Sequence, residues 1–279
     1  PYFDDDGGTP GVAPSATGND AVAIGDGAIA QASNSFAIGT NSSVHVNSPD
    51  SIALGLNSKV QSISPNSIAI GKGSLVGYLP PGFTNNAYDS IAIGLNAKAY
   101  IQDFYNNTAI TSAISIGKNS IAQGDYAVSI GTNSVAGYNV IAIGKFASAN
   151  AQDSIVLGRN AGSTSPYGIA IGRNAQSLTN SYTIAIGSGN TNTDSANATG
   201  ANSLAVGRGT DSTTTGSLSI GWNAQATGGV YSIAIGGGST TALSARASAA
   251  NAISLGRGTL SNSVGSIAIG WNAQATTSI

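Results

Sequence analysis

The chain has 279 residues, a net charge of −2, a charged fraction of only 8% and no Cys or Met. It also lacks Glu and carries 38 Gly, so helices contribute little, and the near-neutral charge gives no strong field for nucleic acid or a membrane surface. Disulfides are excluded, and no apolar run of 18 residues exists that could cross a bilayer as a helix.

Residues 1–19, with Asp4, Asp5, Asp6, Pro10 and Pro14, read as a flexible or capping lead-in. From there on, a small-aliphatic-small-aliphatic-glycine pentad recurs sixteen times. It ends at Gly25, Gly39, Gly55, Gly71, Gly94, Gly117, Gly131, Gly144, Gly158, Gly172, Gly187, Gly207, Gly221, Gly236, Gly256 and Gly270. The commonest gap is 14 residues, and the gaps of 20 and 23 mark insertions. A fixed short period filling a chain is the mark of a solenoid, whose units bury apolar surface against their neighbours. The predicted organisation is therefore a repeat domain over 20–279 with inserted loops near 77–89, 100–112, 190–202 and 239–251. Sixteen rungs at the ~4.8 Å strand spacing give a rod of roughly 75 Å.

Within each repeat, aliphatic residues stand one and three before the glycine, with Phe36 the exception, and Ala or Ser stands two before, except at Val156. Period-2 spacing of β-branched residues predicts a strand. Both faces are uncharged, so both are expected to be covered. The Ile face is expected to fill its own coil. The Ala/Ser face (Ala69, Ala92, Ala142, Ala170) is expected to turn towards a partner chain, because small residues permit close approach. Two after the glycine stands Asn or Gly in 15 of 16 repeats, which predicts positive φ there and a locally altered turn at Phe146, the exception. A second, half-exposed strand follows, as at Ser58/Val60 and Ala97/Ala99, and Asp20, Asp50, Asp89 and Asp153 share a column five before the glycine that reads as turn chemistry.

Further along, the two 23-residue gaps between Gly71 and Gly117 hold Tyr78, Phe83, Tyr88, Tyr100, Phe104 and Tyr105, six of the chain's 17 aromatics. Clustered rings on inserted loops make these residues a candidate ligand surface. Seven of the ten Lys/Arg residues occupy the position after the glycine. Three of them, Lys145, Arg159 and Arg173, fall on successive rungs and form a candidate anion stripe, since stacked like charges favour a bound anion. Trp222 and Trp271 share that column, are expected to be at least partly exposed, and join the candidate ligand surface. Residues 203–227 and 252–276 are near copies, displaced by 49 residues, which reads as duplication of several coils. The chain lacks an initiator Met and stops just after a complete repeat, so it is expected to be an excised segment with more protein following.

Asn66–Ser74 (N-S-I-A-I-G-K-G-S) and Asp89–Ala99 (D-S-I-A-I-G-L-N-A-K-A) carry a resemblance. The sequence resembles the YadA-like head of trimeric autotransporter adhesins, from about Asn19 to Thr277. The resemblance implies a left-handed parallel β-roll (β-solenoid) of about 16 repeats, forming an elongated homotrimer. It implies a cell-surface location on a Gram-negative outer membrane and attachment to host extracellular matrix protein, host cells or abiotic surfaces. Membrane anchoring would then come only through C-terminal parts that this sequence does not include.

Other functions fit the residues less well. The only histidine, His45, sits in a polar stretch and reads as an exposed loop residue, and the hexapeptide period of solenoid acyltransferases is absent. No G-G-x-G-x-D calcium nonapeptide and no regular Thr-x-Thr array occur. Neither an enzyme nor a cofactor is expected. The remaining alternative is a structural spacer that presents another binding domain.

Overall fold

A computed structural model describes residues 11–61, 63–77, 87–100 and 110–276. The chain divides into two compact units, 1–139 and 140–279. Each is a parallel β-solenoid, and together they make about 17 turns. The described residues hold no α-helix, only the 3-10 turns Asn192–Asp194 and Thr241–Leu243, and no helix is long and apolar enough to cross a membrane.

Each coil alternates a three-residue strand, ending at the residue before the anchor glycine, with a two-residue strand. In the first unit Ile52–Leu54 pairs in parallel with Ile68–Ile70, and Ile68–Ile70 with Ile91–Ile93, always residue for residue without slippage. In the second unit Ile155–Leu157 pairs in the same way with Ile169–Ile171, and Gly162–Ser163 with Gln176–Ser177. Inside the expected lead-in, Ser15–Ala16 already pairs with Ile29–Ala30, so the roll begins before its first pentad.

The two faces of the longer strand are the reverse of the expectation. Ala69, Ala92, Ala142 and Ala170 are fully buried inside their own coils, and the flanking aliphatics point outward, with Ile141, Ile143 and Ile155 at 36–38% exposure. The reason is the length of the coil. A loop of 14 residues brings its two strands too close for facing isoleucines, so the lumen takes only Ala, Ser, Thr and Val, as at Val44, Val60 and Val156. Many buried hydroxyls are satisfied inside that lumen, whereas those of Ser42, Ser203 and Ser232 are buried without a partner. Ser115 pairs with Ser120 and Ser129 with Ser134, each at 2.7 Å.

Both turns of the coil have one design. Residue i+3 donates its N–H to the carbonyl of residue i, as in Ser58 to Gly55 (3.2 Å) and Ala127 to Gly124 (3.2 Å). Residue i+2 has positive φ in each case, as in type II turns. After the anchor glycine this is the Asn/Gly column (Asn57 φ 56°, Asn96 φ 54°, Gly73 φ 67°), as the sequence predicts. Phe146, however, has φ 60° and an ordinary turn, because the cross-rung hydrogen bonds impose the conformation on any side chain. Gly189 and Gly238 leave the pattern instead, for the chain departs there into the 3-10 turns that fill the 20-residue repeats. The strands Asn197–Ala198 and Arg246–Ala247 resume within the expected loop spans. The asparagines of this column also form an amide ladder, Asn96 Nδ2 to Asn119 Oδ1 at 3.3 Å and Asn119 Nδ2 to Asn133 Oδ1 at 3.1 Å.

The anchor glycines are fixed by φ and by space together. Gly158 has φ +145°, and a Cβ there would lie 2.4 Å from the Gly172 carbonyl oxygen on the next rung. Gly158→Ala is therefore expected to destabilise the second unit by about 3 kcal/mol. Urea unfolding checks this, and a change below about 0.5 kcal/mol would contradict the stacking account.

Candidate functional site

The coil exposes two rows of turn residues, one after the anchor glycine and one before the longer strand. In both, the backbone ladder forces side chains of successive rungs into line. On the post-glycine row of the second unit, Asn160 N–H donates to the Lys145 carbonyl (3.0 Å) and Asn174 N–H to the Arg159 carbonyl (2.9 Å). The structure thus brings Lys145, Arg159 and Arg173 onto adjacent rungs, all exposed. Arg208 and Arg257 lie on the same row and are exposed as well.

Local partners shape this row unevenly. Lys145 Nζ lies 5.1 Å from the centre of the Phe146 ring, which is 44% exposed. Arg173 Nη2 donates to Asn190 Oδ1 (2.7 Å) and to its carbonyl (3.2 Å). Arg208 pairs with Asp194 at 3.0 Å, the one salt bridge among the described residues, and its guanidinium carbon lies 5.8 Å from the Trp222 ring. The backbone N–H groups of Thr191 and then Asn190 hold the Asp194 carboxyl well below the usual carboxylate range, and the Arg208 hydrogen bond adds the least. Trp222 and Trp271 are both exposed, as predicted, the latter at 79%. The coils carrying Gly237 and Arg257 separate them, so they form no common platform.

Of the aromatic residues in the double insertion, Tyr78, Phe83, Phe104 and Tyr105 lie outside the described residues. Tyr88 and Tyr100 are half-buried, with Lys98 Nζ 5.8 Å from the Tyr100 ring. Strand Ala87–Tyr88 pairs with Ile110–Thr111, which joins the two insertions by backbone bonds. His45 is half-buried rather than exposed, and its Nδ1 accepts the Asn47 N–H at 3.3 Å. Among the described residues no three His, Cys, Asp or Glu side chains gather as a metal site would require.

Sequence reasoning read the other row as turn chemistry alone and assigned no role to its tyrosines. Five before the glycine, every rung has positive φ, whether the residue is Asn34 (54°), Asp153 (56°) or Gly216 (66°). Four tyrosines also stand there: Tyr126 (51°), Tyr167 (58°), Tyr182 (60°) and Tyr231 (57°). A bulky ring is strained in that region. Yet all four rings are exposed, Tyr126 at 62%, so little burial offsets the strain. Tyr167 and Tyr182 stack with centroids 4.8 Å apart and planes 7° from parallel. The signal in the sequence was tyrosine in a column otherwise kept for residues that tolerate left-handed turns. Tyr126→Asn, which installs the residue used at Asn34 and Asn66, is expected to raise stability by about 1 kcal/mol. A lower melting temperature for that variant would refute the strain.

The arrangement offers rows of exposed cations and rings on a rigid ladder, with nothing resembling a catalytic constellation among the described residues. No curated protein matches the chain. The YadA head domain repeat matches residues 16–42, 47–74, 111–134, 137–161, 163–190, 194–210, 215–240 and 261–278, leaving out most of the double insertion. Repeats found over most of the length, on coils that the structure stacks in register, mean that the chain belongs to the YadA head family, whose members are parts of surface adhesins.

Proposed function

We propose that this chain is the adhesive, non-enzymatic head of a trimeric autotransporter, displayed on the outer membrane surface, where it attaches the cell to matrix protein, host cells or abiotic surfaces. The observation that carries the reading is the outward isoleucine ladder. Each of the seven three-residue strands of the first unit and the nine of the second presents two large side chains outward, nearly all aliphatic. An apolar surface of that kind along each unit marks an interaction face. Three copies packed left-handed rolls to a common axis would cover it, and the cation and ring rows would remain available for attachment. Family membership supports trimers and surface binding in general terms.

The test is attachment of the isolated head to a panel of matrix proteins, to cultured cells and to bare plastic. Saturable retention on at least one, absent for a heat-unfolded sample, is the expected result. No retention on any of them would favour a spacer that presents a binding domain lying elsewhere.

A further inference from the structure

The charge of this chain is divided unequally. The first unit has four Lys/Arg against nine Asp, the second six against three. Five of those six cations stand on the single post-glycine row. Of the second unit's three carboxylates, Asp194 pairs with Arg208. Asp153 is on the opposite row, and Asp211 lies in the two-residue strand Asp211–Ser212, where burial pushes its carboxyl up while hydrogen bonds from Asn197 and Gln225 oppose the shift. Lys145, Arg159, Arg173 and Arg257 therefore have no carboxylate partner among the described residues. Like charges at the ~4.8 Å rung spacing repel, and they face solvent on a backbone too rigid to spread them.

Beside them is a residue chosen against the preference of the fold. Phe146 occupies a column that is Asn or Gly in every other repeat, holds φ 60°, and leaves its ring 44% exposed next to Lys145. Strain accepted while so much of the ring stays exposed points to a task for the ring itself.

We infer that the post-glycine edge of the second unit, centred on Lys145, Phe146, Arg159 and Arg173, binds a linear acidic glycan laid along the rungs. Arg and Lys supply charge-assisted hydrogen bonds to carboxylate or sulfate groups, and Phe146 takes the apolar C–H face of a sugar ring. Cations on consecutive rungs match a chain that carries charge on successive sugars. Single-stranded nucleic acid fits less well. It asks for a series of ring faces on successive rungs, whereas Phe146 is the single ring at the post-glycine turns of these three rungs. This deepens the adhesive reading by naming a ligand class, and it is tested on soluble head, so it can fail while attachment to proteins or plastic survives.

The experiment measures binding of heparin, hyaluronan, neutral dextran and single-stranded DNA to the full chain over a range of salt. Heparin should bind, dextran should not, and affinity should fall steeply as salt rises. Hyaluronan separates the sources of charge: binding comparable to heparin means that carboxylate suffices, and its absence means that sulfate is read. Lys145→Gln/Arg159→Gln/Arg173→Gln should lose at least tenfold in heparin affinity and flatten the salt dependence, with an unchanged melting curve. Phe146→Asn should weaken heparin several-fold while melting at a higher temperature, which a purely structural ring would not do. Absence of heparin binding, a triple variant that binds as before, or DNA bound as tightly as heparin would overturn the proposal.

Discussion

With Ile169 and Ile184 both replaced by lysine, the head is expected to sediment as a monomer while keeping its β-sheet circular dichroism. In a single roll these side chains lie on the outer face and are half-buried, so lysine replaces only partly desolvated isoleucine. The stem of lysine still covers part of the strand, and each change costs the roll about 1 kcal/mol. In a trimer closed by the isoleucine ladder the same changes would bury six ammonium groups without partners. Removing one charge from water unpaired costs several kcal/mol, more than an interface of this kind can absorb. Analytical ultracentrifugation of the unaltered and doubly substituted heads decides it. Identical association of the two would exclude the ladder as the interface, and a monomeric unaltered head would exclude self-association altogether.

Ala170→Arg is expected to act at the other level and prevent folding of the surrounding coils. Ala170 is fully buried, in register with Val156 and Ala185 on the rungs either side. An arginine there would combine overpacking with an unpaired buried charge, for a loss of at least about 4 kcal/mol, comparable to the whole margin of a small domain. The loss should appear as reduced β-sheet signal and rapid proteolysis even at concentrations too low for assembly. A well-folded monomer with this substitution would restore the reading in which the alanine column faces a partner chain.

These two substitutions show where sequence was sufficient and where it was not. The pentad period, the strands, the positive-φ turns and the stacking of Lys145, Arg159 and Arg173 were legible, because each depends on backbone geometry that repeats with the sequence. Inside and outside were not. The pattern around Ile169, Ala170 and Ile171 makes both faces apolar, and size suggested that isoleucine belongs in the core. The circumference of the coil decides otherwise, and that is a property of the closed loop rather than of any column. Phe146 was misjudged for a similar reason: the bonds from Ala147 to Gly144 (3.1 Å) and from Asn160 to Lys145 (3.0 Å) set its conformation whatever its own preference. The exposed tyrosines were visible as letters, but their exposure became evident only once the turn they occupy was placed on the surface.

The in-register stacking of anchor glycines has a genetic consequence. Because within each unit one plain coil after another offers its successor the same carbonyl and the same amide, the seam between two such coils is interchangeable with the next. Unequal recombination between such near-identical stretches as 203–227 and 252–276 would add or remove whole turns without creating a new junction. Reach could then drift between generations while the spacing of cations and rings along each edge stayed as it was.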